Sequence, residues 1–142
     1  YVVTNHCVYY YRYGGLTSRF NSTLYSDLKK QYYIKMDMLA EYDYRKGIRS
    51  TRIEMCNIFC SHLIQMYRFN KSEQEINLFV EEEKQSGFLD EITNEVEYNT
   101  NSFLFLKNGD IDNLLEYCRE VAERKKLLRT IFRWVFPLLR FV

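Results

Sequence analysis

With 142 residues, 46% of them hydrophobic and 27% charged, the chain has the size and composition of one folded domain able to bury a core. One proline and five glycines exclude collagen-like and low-complexity classes, and no apolar run approaches the roughly 20 residues of a membrane-spanning helix. The net charge of +1 hides a segregation, since residues 1–72 sum to +6, 73–116 to −10 and 117–142 to +5; either the acidic middle neutralises two basic ends, or each forms a patch with its own partner.

Residues 1–15 open the chain with YVVTNHCVYYYRY followed by Gly14-Gly15. β-branched and aromatic types dominate, which predicts an extended arm of β-strand composition. From Ser22 the pattern turns helical: Tyr25, Leu28, Tyr32, Met36, Leu39 and Tyr42 recur at three- and four-residue steps. The first helix is placed at 22–46, with Asn21 or Ser22 as its cap and Gly47 as its stop. Thr51 and Glu54 have capping-box spacing and open a second helix, 51–69. Its apolar residues between Ile53 and Tyr67 cover nearly every azimuth, so this helix is expected to be the buried hub.

Ser72 and Glu75 form a second capping box, opening a helix over 73–86 that Gly87 stops. Glu81, Glu82 and Glu83 lie at the unfavourable end of that helix dipole and are expected in solvent. A short helix follows at 88–96, then a loop through Asn101. Phe103 to Leu106 is an apolar run of unassigned state, and Asn108-Gly109 marks a turn. Asp110 is a helix cap, and the acid-to-base order from Asp112 to Arg133 follows the dipole of a last helix, 110–136, which Pro137 should end or kink. The fold class expected is therefore all-α: one domain, 1–142, a compact bundle of five or six helices with an extended N-terminal arm. The final helix should pack on the hub.

No catalytic constellation stands out. His6, Cys7, Cys56, Cys60 and His62 supply zinc-type ligands, but the C-x-x-C knuckle is missing and His62 points about 200° around the helix from Cys60, so no metal site and no cofactor is assigned. A metal-dependent or Cys/His enzyme is the third-ranked reading, because no phosphate loop, dinucleotide fingerprint or strained nucleophile turn is present. Tyr9, Tyr10, Tyr11, Arg12 and Tyr13 interleave stacking faces with a cation, as single-strand nucleic-acid binders do. Nucleic-acid binding through this arm and the basic segments is the second reading.

The leading reading is a non-catalytic protein-interaction module that self-associates. Thirteen tyrosines suit half-buried seams and contact surfaces. In the last helix Arg129, Arg133 and Arg140 share one side, while apolar residues including Phe132 fill the other and Trp134 flanks it. With Phe136, these are residue types enriched at interface hot spots. The same segment also fits peripheral contact with an anionic membrane surface. Two N-glycosylation patterns, Asn21-Ser22-Thr23 and Asn70-Lys71-Ser72, and an even cysteine count leave a secreted location open. The mid-helix Cys56 and Cys60 favour reduced thiols and an intracellular one. The abundance of Tyr, Asn, Lys, Ile and Phe suggests low-GC coding, in keeping with a viral or parasite origin.

Overall fold

The computed structural model describes residues 20–98 and 100–138, with side chains as far as Leu128. Among them there are six helices and no strand: α1 (Leu24–Glu41), α2 (Arg45–Arg68), α3 (Glu73–Gln85), α4 (Phe88–Thr93), α5 (Asn101–Lys107) and α6 (Ile111–Leu138). The expected N-terminal arm lies outside the described residues. α2 is the hub, as its apolar circumference predicts. It packs against α1, α4, α5 and α6, and it buries Met55, Cys56, Phe59, Cys60, Leu63, Met66 and Tyr67.

The first chain reversal lies elsewhere than the sequence suggests. α1 ends at Glu41, and Asp43 makes the corner with a left-handed φ of +46°, a conformation aspartate tolerates better than most residues. Gly47 does not stop a helix. It lies in the first turn of α2, where an added Cβ would sit 2.4 Å from Tyr44 Cδ1 and 2.7 Å from Leu39 Cδ2. Its small size permits the close approach of the two helices at their corner. Thr51 likewise caps nothing; it is 2% exposed in the middle of a helix six residues longer at its start than predicted. Tyr42 leaves the apolar stripe and is 77% exposed, because the corner comes before the register can bury it.

Further along, local signals and structure agree. Ser72 Oγ accepts from the Glu75 amide, and the Glu75 carboxylate accepts from the Ser72 amide at 3.0 Å, a complete capping box. Gly87 and Gly109 adopt φ of +73° and +69°, the left-handed conformation that ends a helix most easily at glycine. Asp110 caps α6, its Oδ1 accepting from the Asn113 amide. The unassigned run Phe103–Leu106 is helical, as α5, and buries Phe103 and Leu106. Seven residues are too few for periodicity to reveal, and contacts with α4 and α6 hold it. The 88–96 prediction shortens to a six-residue α4, although Val96 is still buried beyond its end.

α6 runs parallel to α2: Cys118 Sγ lies 3.9 Å from the Cys60 carbonyl, and Lys126 Nζ donates to Asn70 Oδ1 at 2.7 Å. Among its described side chains, Leu114, Leu115, Cys118 and Ala122 are buried, one stripe of the helix. α2 stops at Arg68, whereas the α6 backbone continues to Leu138, one residue past Pro137.

Candidate interaction surfaces

Three features stand out beyond the core. The first is an aromatic box where α1, α2 and α3 meet. The ring of His62 lies 4.9 Å from Tyr25, 5.0 Å from Phe79 and 5.5 Å from Phe20. His62 is therefore half-buried among rings. Burial lowers its pKa from 6.5 to about 4, since the charged form loses hydration among the rings. The native state thus binds a proton less readily than the unfolded chain. The stability from neutral His62 is fully present above pH 6.5 and is lost as pH falls from 6.5 towards 4. We expect about 1–2 kcal/mol of acid destabilisation in that window, after discounting for the ring's partial exposure. His62→Gln should flatten the curve there in urea melts at stepped pH; an unchanged slope would contradict the assignment. The Glu75 carboxyl, held down to about 2 by Lys71 and the capping box, loses its contribution as pH falls from its ordinary 4.5 towards 2, so it overlaps only the acid edge of the His62 window.

The second is a polar seam joining α1 to α3 and α4. Lys29 Nζ pairs with Glu83 at 2.5 Å and lies 3.9 Å above the Phe88 ring. Tyr32 donates to Glu91 at 2.9 Å, and Arg52 donates to the Asn94 carbonyl at 3.0 Å. The Tyr25 hydroxyl is buried beside Glu83, with no partner at hydrogen-bond distance among the described residues; burial first, and then the Glu83 carboxylate, push its pKa far up. Glu83 thus corrects the expectation of a fully solvated acidic run, while Glu81 and Glu82 remain exposed. The seam was missed because its members look like ordinary helix charges. The available signal was the α1 stripe, where Tyr25 and Tyr32 bring hydroxyls into a core that must supply acceptors.

The charged segments meet. Lys29, Arg49 and Arg52 from the basic start pair with Glu83, Glu97 and Glu95 of the acidic middle, and Arg119 from the basic end pairs with Glu73 at 3.2 Å. These cations are neutralised within the fold, which weakens the basic segments as a phosphate-binding surface.

The third feature is exposed apolar surface. Leu127 and Leu128 are 62% and 52% exposed on α6, just past the contact of Lys126 with Asn70. Twelve further helical residues follow Lys126, about 18 Å of helix at 1.5 Å per residue. Ile34 and Met38, one turn apart, are a second exposed apolar pair on the outer side of α1. Between α1 and α2 lies an open groove of about 560 Å³, with Leu24, Leu28, Ile53 and Ile58 among its apolar residues and Ser50, Asn57, Ser61 and Gln65 among its polar ones.

The other predicted site residues divide by place. Tyr9, Tyr10, Tyr11, Arg12, Tyr13, His6, Cys7 and Arg140 lie outside the described residues, and of Arg129, Phe132, Arg133, Trp134 and Phe136 only the helical backbone is described. Cys56, Cys60 and Cys118 are buried in the core, Cys56 Sγ against the Ile92 carbonyl of α4 and Cys118 Sγ against the Cys60 carbonyl. Burial pushes their thiols up, Cys60 to about 11 and Cys56 to about 12, which suppresses thiolate and metal chemistry at neutral pH. Among the described residues no three His, Cys, Asp or Glu side chains gather as metal ligands, and no helix is long and apolar enough to cross a membrane. Compared with known protein families, curated proteins and solved structures, the chain matches none.

Proposed function

We propose that this chain is a non-catalytic helical interaction module that self-associates through the end of α6. The observation that carries the reading is the continuation of α6 beyond the end of α2 with Leu127 and Leu128 exposed. A helix that outruns its bundle while presenting adjacent leucines favours a partner helix, since burying each leucine is worth about 1.5–3 kcal/mol. The sequence extends the apolar row with Ile131, Phe132 and Val135 at helical spacing, and Trp134 and the arginines Arg129 and Arg133 add residue types favoured at interface centres. A second copy is the partner, because it brings the same apolar row and can meet it in an isologous contact.

Light scattering at low micromolar concentration tests this. The expected mass is twice the 17.3 kDa of the chain, falling to a single copy in Leu127→Glu/Leu128→Glu. Ile34→Glu/Met38→Glu, on the outer side of α1, should keep the doubled mass. A single-copy mass for the unaltered chain, with Trp134 fluorescence shielded from quencher, would remove the proposal.

A further inference from the structure

We infer that Asn108 is a site of spontaneous covalent modification, losing its side-chain amide through a cyclic imide formed with Gly109. Asn108 is the one asparagine of the chain that precedes a glycine. Attack on the side-chain carbonyl by the next residue's amide nitrogen is hindered by any Cβ on that residue, and Gly109 has none. The space around Gly109 is open as well, since an added Cβ would meet nothing within 4 Å. Asn108 is exposed, and its side chain makes no hydrogen bond among the described residues. In the reaction, hydroxide takes the Gly109 amide proton and the nitrogen attacks Asn108 Cγ. An N–C bond forms, the Cγ–Nδ2 bond breaks, and ammonia leaves with a proton returned from water. Water then opens the imide. Cleavage at Cγ gives aspartate, whereas cleavage at the main-chain carbonyl carbon gives isoaspartate, in which the chain runs through Cβ and Cγ.

The fold controls the rate. Asn108 is the C-cap of α5 with a ψ of −1°, a helical value that turns the Gly109 nitrogen away from Cγ. The Gly109 amide donates to the Leu106 carbonyl at 3.2 Å and the Asp110 amide to the Phe105 carbonyl at 2.9 Å, the paired bonds of a Schellman turn. The reaction therefore starts from an opened corner. At seven residues α5 is too short to hold itself, and burial of Phe103 and Leu106 keeps it in place. Such an element opens locally at less cost than the whole fold. Isoaspartate lengthens the main chain by a methylene at this corner and sets a carboxylate at the C-terminal end of α5, where the helix dipole opposes it. Both turn bonds span residue 108, so each must then close a larger ring. Conversion thus loosens α5 against α4 and α6, its neighbours in the bundle.

Peptide mapping of the full chain, sampled during incubation at mildly alkaline pH and body temperature, tests the inference. Asn108 should convert several-fold faster than Asn57 and Asn113, which are also exposed, and enzymatic carboxyl methylation should detect isoaspartate at the corner. Asn108→Gln should abolish that methylation. Leu106→Ala, at unchanged helicity, removes a buried anchor of α5 and should speed conversion several-fold. In the converted fraction, amide hydrogen exchange across Asn101–Lys107 should rise several-fold. Conversion of Asn108 no faster than that of Asn57 or Asn113 overturns the inference, as does a rate that Leu106→Ala leaves unchanged.

Discussion

Phe59→Ala should lower the unfolding free energy by about 3–5 kcal/mol, and the melting temperature by on the order of 10 °C. Phe59 is fully buried, at 0% exposure. Its ring stacks on Phe79 of α3 at 5.7 Å and meets Tyr25 of α1 edge-on at 6.3 Å. Truncation to alanine removes the transfer free energy of the ring and opens a void that three helices line. Close-packed neighbours refill such a void only in part. Losing the ring's pairings with Phe79 and Tyr25 adds to the area term. Leu78→Ala on the solvent side of α3 should change stability by less than about 0.5 kcal/mol. Urea melts of the two variants check the contrast. A loss below about 1 kcal/mol for Phe59→Ala would mean that the α1–α2–α3 junction is loosely packed.

The second large effect belongs to the Lys29–Glu83 pair. Its side chains are 21% and 12% exposed, shielded more than an ordinary surface pair, and Lys29 also lies against the Phe88 ring. Glu83→Leu should cost about 1–3 kcal/mol, because it leaves a partly desolvated ammonium without its counter-charge. Lys29→Met should cost a similar amount by stranding the carboxylate. The double variant Lys29→Met/Glu83→Leu should recover most of the loss, since a pair of apolar residues requires no charge hydration. A double-mutant cycle on urea melts measures the coupling. A coupling near zero would show that solvent screens the pair completely.

Much of the fold was legible in the residues because its signals are local. The capping box at Ser72 and Glu75, the glycine stop at Gly87, the turn at Asn108-Gly109 and the cap at Asp110 each act through bonds closed within about one helical turn. The hub character of α2 follows from an apolar circumference that no surface helix can carry. The failures are equally physical. Thr51–Glu54 has capping-box spacing, yet helix α2 begins at Arg45 because Asp43 turns the chain first and α1 then covers Thr51. Gly47 reads as a stop until Tyr44 and Leu39 are seen pressing against it. α5 is too short to show a period and forms where neighbouring helices supply its buried side.

The interaction surfaces divide in the same way. The apolar character of the last helix was visible as a row of residues, but its significance depends on where α2 ends beside it, a relation between segments distant in the chain. The seam of Lys29, Glu83, Tyr32 and Glu91 spans 54 to 59 positions and left no mark in any window of sequence. By itself, the sequence determined that the described part of the chain is helical, which helix lies at its centre and where α3, α4 and α6 begin. Those properties rest on periodicity and on hydrogen bonds closed within a turn. Only the tertiary structure decided which charges neutralise one another, that His62 is enclosed by rings and that α6 outruns its support, because each depends on helices distant in sequence packing side by side.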